Sequence, residues 1–182
     1  MKAYYEADGI TIYHGDCREI LPGMDCADLL LTDPPYGVAY VNRWRSRGDP
    51  LRTPVTMDHS SEIFASAWPM ALASLAEDRH WYAFASPRIL HEFVPIAKPK
   101  QILCWDKGDR GTLGDLECGF GEAWEAILYG MKGRRPLRGS RPRSVIRVDW
   151  SSTEDPVHPT VKPVELLKRW ILQSADVGET VL

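Results

Sequence analysis

Short apolar runs separated by polar segments form the basic pattern of this chain. The run Ala27–Thr32 is almost continuously apolar, which is typical of a strand buried on both faces. Similar runs predict further strands at 10–14, 81–85, 101–105 and 123–129. Most of these runs end in glycine, proline or polar residues, which indicate turns.

Helical spacing of apolar residues appears between the strands. One helix is predicted from a set that contains a proline as a kink or late start: Phe64, Trp68, Pro69, Ala71 and Leu75. A second helix opens at Pro163, and its apolar stripe consists of Val164, Leu167, Ile171 and Ala175. Shorter helical segments are predicted at 18–21 and 88–94. This alternation predicts an α/β fold with a mostly parallel sheet covered on both faces.

Tryptophan residues fall inside these periodic segments, so we expect them to be core residues: Trp68, Trp81, Trp105 and Trp124.

The length of 182 residues is that of one domain. The sequence shows neither a membrane-spanning apolar run nor a secretory signal. Four cysteines occur without a CxxC pair, which indicates a reducing, cytoplasmic compartment and no metal site.

Basic residues are concentrated in two segments, although the net charge is -3. Between Ala126 and Val148 there is no acidic residue, and the arginines there include Arg134, Arg135, Arg138, Arg141 and Arg143. An earlier cluster contains Arg43, Arg45 and Arg47. Both segments carry turn-forming residues, so they are predicted to be loops. Such loops commonly bind phosphates, and the alternative is that both are solvated surface.

The buried run Ala27–Thr32 ends in the tetrapeptide Asp33-Pro34-Pro35-Tyr36. In parallel α/β sheets, ligands bind at the carboxyl ends of strands. The Asp33 carboxylate and the Pro34 carbonyl could each accept an N–H hydrogen bond from an exocyclic amine. That arrangement would direct the nitrogen lone pair towards an incoming methyl group. The two prolines restrict this backbone, and Tyr36 offers a flat ring on which a flipped base can stack. The alternative is a simple strand-ending turn.

Two separate stretches resemble one enzyme family. Residues 12–17 and 28–37 resemble the opening of bacterial and phage DNA N6-adenine/N4-cytosine methyltransferases, and residues 158–167 resemble their later cofactor-contacting segment. The order is that of the permuted beta class, in which the catalytic motif precedes the cofactor motifs. The resemblance covers nearly the whole chain and is weakest at 42–57. It implies a Rossmann-like fold that depends on S-adenosylmethionine (SAM), in a single domain at 1–182.

The resemblance also implies roles for individual residues. Asp33, Pro34, Pro35 and Tyr36 would form the catalytic loop, and Asp33 would also lie near the cofactor. Asp16 and Cys17 match the pair that contacts the cofactor adenine, and Thr160 and Lys162 match residues near its carboxylate. His158 is more often structural in such a position. The segment at 130–148 falls where the family has its target-recognition region.

The resemblance further implies that the family's glycine-rich cofactor loop would begin one residue after Leu182. We therefore expect a chain that is incomplete at its C-terminus: a fragment, a truncated product or one half of a split enzyme. Val181 and Leu182 are β-prone and have the character of a strand start. An open sheet edge predicts self-association or pairing with a complementary fragment, and the chain alone is expected to bind SAM weakly.

Double-stranded DNA is the expected substrate, and no membrane partner or metal is expected. Asp at the first motif position favours adenine N6, because the cytosine N4 enzymes more often carry Ser. A protein or RNA methyltransferase is disfavoured, because its glycine loop would lie upstream of Asp33. An inactive DNA-binding remnant remains the main alternative. The family further suggests a restriction-modification role in a bacterial or phage-infected cell.

Overall fold

Side chains that alternate along the central strands of the sheet form the apolar interior of the protein. The computed structural model describes residues 2–36, 61–108, 117–149 and 161–182. Within the strand Leu75–Ala85, Tyr82 and Phe84 point into one apolar core, whereas Trp81, Ala83 and Ala85 point into another. This period of two places one core on each face of the sheet. Helices cover both cores, which gives three layers.

The described elements follow in chain order. The strands are β1 (Tyr5–Ala7), β2 (Ile10–Ile12), β3 (Ala27–Thr32), β4 (Leu75–Ala85), β5 (Gln101–Asp106), β6 (Trp124–Lys132) and β7 (Val145–Arg147). The helices are α1 (Cys17–Ile20), α2 (Glu62–Ala73), α3 (Leu90–Ala97) and α4 (Val164–Ser174). Short 3-10 turns at Leu21–Gly23 and Pro87–Ile89 follow α1 and precede α3.

The main sheet has the order β3-β4-β6-β5-β7, and the prediction of a mostly parallel sheet is confirmed, with β6 as the one antiparallel strand among the described residues. β3 pairs with β4 and β5 pairs with β7 in parallel, but β6 lies antiparallel to both β4 and β5. The sequence pattern could not reveal this insertion, because a buried strand reads as a continuous apolar run in either direction.

The predicted strand at 10–14 forms outside this sheet. β2 pairs with β1 in a two-stranded hairpin. The turn is made by Asp8 and Gly9, whose φ angles of 52° and 75° are the left-handed values that such hairpins require. Asp-Gly is a frequent sequence signal for this turn.

Two helix predictions need adjustment. α2 ends at Ala73, and Leu75 is the first residue of β4, while Pro69 lies inside the helix. The buried residues of α4 are Leu166, Trp170 and Ser174, whereas Val164 is 76% exposed. Trp170 stacks on Tyr82 at 5.3 Å between ring centroids. The largest side chain of α4 therefore decides which face is buried.

Three of the four tryptophans predicted to be core are buried: Trp68, Trp81 and Trp105. Trp124 is 37% exposed, because it is the first residue of β6 and lies at the rim of the sheet.

Residues 180–182 run alongside the outer edge of β3. Leu182 donates its N–H to the Leu29 carbonyl at 2.9 Å and accepts from Leu31 at 2.7 Å, and Val181 forms a parallel bridge with Leu29. The predicted strand character of Val181 and Leu182 is therefore confirmed. In the described parts of the chain, no helix is long and apolar enough to cross a bilayer.

Candidate functional site

Four charged or polar side chains meet at one edge of the sheet. Asp33 follows the last residue of β3, and Lys107 follows the last residue of β5. Glu125 is the second residue of β6, which begins at this edge because it runs antiparallel to β5. Lys162 stands just before α4. The site thus lies where ligands of α/β sheets are commonly bound.

The Tyr36 hydroxyl lies between two carboxylates. Its oxygen is 2.9 Å from Asp33 Oδ1 and 3.0 Å from Glu125 Oε1. A phenol has one proton, so it donates to only one of these oxygens at a time. The Tyr36 ring packs against both apolar cores, which fixes the position of the hydroxyl.

Lys162 completes this arrangement with its ammonium group. Its Nζ lies 3.2 Å from Asp33 Oδ2, 3.1 Å from Glu125 Oε1 and 3.2 Å from the Tyr36 hydroxyl. These three contacts match the three protons of an ammonium group. The side chain is only 9% exposed, and Nζ also lies 4.9 Å from the centroid of the Phe84 ring.

Lys107 provides a second positive charge on the far side of Glu125. Its Nζ lies 3.3 Å from Glu125 Oε2 and 5.2 Å from the centroid of the Trp105 ring. The site therefore contains two carboxylates and two ammonium groups. We refer to Asp33, Tyr36, Lys107, Glu125 and Lys162 as the edge network.

Burial alters the acidity of two groups in the edge network. Desolvation raises the pKa of Asp33 above its ordinary value, although the charge of Lys162 opposes that rise. Desolvation also raises the pKa of Tyr36 well above 10, and the nearby charges of Asp33 and Glu125 add to the effect. Tyr36 therefore stays protonated at neutral pH and acts as a hydrogen-bond donor.

The Asp33 carboxylate keeps some capacity to bind a ligand. Its side chain is 37% exposed. A carboxylate offers about four lone-pair sites, of which Tyr36 and Lys162 occupy two. The remaining sites can accept N–H groups from a bound molecule. One face of the Tyr36 ring meets Lys162 Nζ at 5.4 Å, so base stacking on this ring remains a prediction.

Asp16 and Cys17, which are also predicted to bind the cofactor, lie at the start of α1. Asp16 caps α1 by accepting from the Arg18 N–H at 2.9 Å, and it also forms an ion pair with the Arg18 guanidinium. These contacts lower the pKa of Asp16 to about 2. Cys17 is exposed at the first position of α1. Thr160 and His158 lie outside the described residues.

The arginines predicted to bind DNA are placed mostly at the opposite edge of the sheet. β6 begins at the edge network and ends at Lys132, which forms an ion pair with Glu77 near the start of β4. The segment with Arg134, Arg135 and Arg138 follows directly. Seven residue steps along β6, from Glu125 to Lys132 and at about 3.3 Å each, separate the two edges by roughly 20 Å. Arg43, Arg45 and Arg47 lie outside the described residues.

Two of these arginines bind carboxylates of the chain itself. Arg135 is 13% exposed and contacts Glu179 and Asp176 at 2.9 and 2.7 Å. Arg138 contacts Asp176 at 3.0 Å and the Ala175 carbonyl at 2.7 Å. Both contacts help to fasten the segment after α4. Arg141 and Arg143 are exposed and line a pocket beside Trp170 of α4.

Sequence reasoning did not identify Glu125 or Lys107. The available signal was one acidic residue within the otherwise apolar run 123–129, because an acid in a buried strand needs a partner. No comparable signal marked Lys107. Among the described residues, no three His, Cys, Asp or Glu side chains come together in a way that could hold a metal ion.

Comparison with solved structures identifies the fold. Over 99% of this chain and 75% of the other, it superimposes on the cytosine-N4-specific PvuII DNA methyltransferase with a TM-score of 0.71 and 14% identity. The complex of M1.HpyAVI with SAM gives a TM-score of 0.61 at 19% identity, covering 93% of this chain and 79% of that one. The chain has the fold of SAM-dependent methyltransferases.

A third structure with this methyltransferase fold is TTHA0409 from Thermus thermophilus, complexed with S-adenosyl-L-methionine. It matches with a TM-score of 0.59 at 18% identity, over 92% of this chain and 75% of that chain. No protein-family model and no curated protein matches the sequence.

Proposed function

We propose that this chain is the catalytic part of a DNA amino-methyltransferase, in which Asp33, Pro34, Pro35 and Tyr36 form the catalytic loop. The observation that carries the proposal is the edge network, which holds a partly exposed carboxylate at the ligand-binding edge of a methyltransferase fold. The Asp-Pro-Pro-Tyr sequence at this point adds support, because it is the motif on which the family resemblance rests.

The proposed chemistry is a direct transfer to the exocyclic amine of a flipped base. SAM supplies an electrophilic methyl group when it is bound. Asp33 accepts one N–H of the amine, and the Pro34 carbonyl accepts the other, so the nitrogen lone pair points away from the ring plane. With SAM bound, the amine nitrogen would bond to the methyl carbon as the carbon–sulfur bond breaks. The extra proton then leaves the methylated nitrogen for Asp33 and from there for solvent.

Adenine N6 is the proposed target, because the first motif residue is Asp33. Cytosine N4 is the alternative, and the similar PvuII enzyme is cytosine-N4-specific. An assay that compares adenine-only and cytosine-only substrates distinguishes the two.

The cofactor is proposed to lie between α1 and the end of β3. The Cys17 N–H is at the start of α1, where backbone N–H groups have no partner within the helix. The Asp16 side chain is 27% exposed and keeps lone pairs beyond those that Arg18 uses. These groups fit the adenine part of SAM. Lys162 fits its proposed carboxylate contact less well, because all three of its protons already have partners.

Methyl incorporation into DNA tests the proposal. We expect transfer of radiolabelled methyl groups by the wild-type chain at millimolar SAM and its loss in Asp33→Ala. Asp25→Ala is the matched control, because Asp25 is an exposed aspartate outside the edge network. Asp33→Ala removes no core volume but deprives Tyr36 and Lys162 of one partner each, so circular dichroism is used to check that the variant is folded. Unchanged methylation by a folded Asp33→Ala variant would refute the role of Asp33.

A further inference from the structure

Glu125 is the most unusual residue in the sheet. It is an acid in an otherwise apolar strand, and only 8% of its surface is exposed. Burying a carboxylate is unfavourable unless charged and hydrogen-bonding partners surround it. Glu125 has three such partners: Tyr36, Lys107 and Lys162. None of the family motifs in the sequence assigned it a role.

The two oxygens of Glu125 contact different groups. Oε1 accepts from the Tyr36 hydroxyl at 3.0 Å and from Lys162 Nζ at 3.1 Å. Oε2 faces Lys107 Nζ at 3.3 Å. Lys107 therefore anchors one side of the carboxylate, and the other side faces the two residues that contact Asp33.

We propose that Glu125 is a positioning residue for the transfer reaction: it offers Tyr36 an alternative acceptor, so that Asp33 is released to bind the incoming amine. This inference rests on the proposed function. In the free protein, the Tyr36 proton can point to Asp33 Oδ1 at 2.9 Å or to Glu125 Oε1 at 3.0 Å. When an amine N–H approaches Asp33, the Tyr36 hydroxyl rotates towards Glu125. Both lone pairs of Oδ1 are then open to the amine N–H, and the Tyr36 proton keeps an acceptor in Glu125.

Glu125 also holds Lys162 in place. Lys162 Nζ lies between the two carboxylates, at 3.1 and 3.2 Å. Without the Glu125 charge, Lys162 would interact with Asp33 alone. Its stronger hold on Asp33 would make that carboxylate a poorer acceptor for the amine. The negative charge of Glu125 also contributes to the raised pKa of Asp33, so its removal should lower that pKa.

Glu125→Gln tests the proposal because the substitution keeps the shape and removes the charge. We expect kcat to fall by about tenfold to a hundredfold, as for the loss of one charged hydrogen bond. The KM for DNA and the Kd for SAM should change less than about threefold, because Glu125 is proposed to act only in the transfer step. The acidic limb of the pH–kcat profile should move to lower pH. The matched control is Glu165→Gln, whose side chain on α4 is 72% exposed.

A residue with a merely structural role would lower thermal stability without moving the pH profile. Wild-type kcat and an unshifted acidic limb in Glu125→Gln would overturn the proposal. If that variant does not fold, Glu125→Asp tests the same switch: it keeps the charge but shortens the side chain, so the acceptor oxygen is withdrawn from the Tyr36 hydroxyl and kcat should fall while affinity for SAM is retained. Wild-type kcat in Glu125→Asp would also overturn the proposal.

An NMR titration separates this inference from the proposed function. The Asp33 carboxyl carbon is followed with pH in the wild-type chain and in Glu125→Gln, without DNA or SAM. A lower Asp33 pKa in the variant supports the coupling even if the chain transfers no methyl group. An unchanged pKa would contradict the coupling even if the wild-type chain is active.

Discussion

Asp33 is the proposed acceptor for the amine, and desolvation of its carboxylate in the folded chain is unfavourable. Because desolvation raises its pKa in the folded chain, the protonated form is favoured by folding. Its contribution to stability is therefore fully present below the unfolded pKa of about 4 and is lost as pH rises through the folded pKa. The proposed function needs the ionised form, so activity and stability respond to Asp33 in opposite directions.

This opposition predicts a pH-dependent difference between the wild-type chain and Asp33→Asn. The free energy of unfolding of the wild type, relative to the variant, should decrease from pH 3.5 towards neutral pH. Urea unfolding at a series of pH values measures the difference. A relative stability that rises with pH would mean that the contact with Lys162 outweighs the desolvation of Asp33.

Two interpretations of Lys162 make different predictions. The family resemblance places it near the cofactor carboxylate, whereas its contacts here are with Asp33, Glu125 and Tyr36. We expect Lys162→Met to reduce kcat by at least tenfold and to leave the Kd for SAM within about threefold. Lys168→Met on α4 is the control, because Lys168 is exposed. A large loss of SAM affinity with unchanged kcat would favour the cofactor contact instead.

At the scale of elements, apolar runs located the strands better than helical spacing located the buried faces. The run Ala27–Thr32 was predicted with the observed bounds, because a strand buried on both faces leaves an unbroken apolar signal. In the predicted stripe of α4, Ala175 is buried and Leu167 and Ile171 pack against the core, but Val164 in the first turn is exposed and the buried Trp170 was missed. The Glu125 partners depend on strand order, which no local pattern encodes.

β4 and β6 depend on one close contact that glycine makes possible. Trp81 pairs with Gly130 across the two strands, and a methyl group at Gly130 would overlap the Trp81 ring. We expect Gly130→Ala to reduce the free energy of unfolding by about 1–3 kcal/mol, as overpacking does in other cores.

The control for this substitution is Gly15→Ala, where the new methyl group would meet only the flexible end of Ile20 at 3.3 Å. Chemical denaturation of both variants compares the two sites. Equal stability of Gly130→Ala and the wild-type chain would show that the Trp81 ring moves aside at no cost.

For the whole molecule, the two edges of the sheet have different chemistry. One edge carries the edge network, and the other carries the basic segment with its ion pairs to Asp176 and Glu179. The sequence predicted the basic segment and only part of the edge network, because Glu125 and Lys107 were missed. The separation of the two follows from the antiparallel direction of β6. A duplex that presents a base to Asp33 reaches the far arginines only if it covers roughly 20 Å of protein surface.

Salt dependence of DNA binding distinguishes the two groups of arginines. Each phosphate contact contributes a slope of about -0.9 to the plot of log K against log salt concentration. If the segment after Tyr36 holds the DNA, replacing Arg43, Arg45 and Arg47 by Ala should flatten this slope by two to three units, roughly. The same change at Arg134, Arg141 and Arg143 should then have a smaller effect, because these residues follow the far end of β6. Arg135 and Arg138 stay unchanged in both variants, since their loss would release internal carboxylates.

Binding is measured by fluorescence anisotropy between 50 and 200 mM salt. A larger change of slope in the second variant would indicate that DNA binds across the opposite edge. No change of slope in either variant would indicate that both segments are solvated surface.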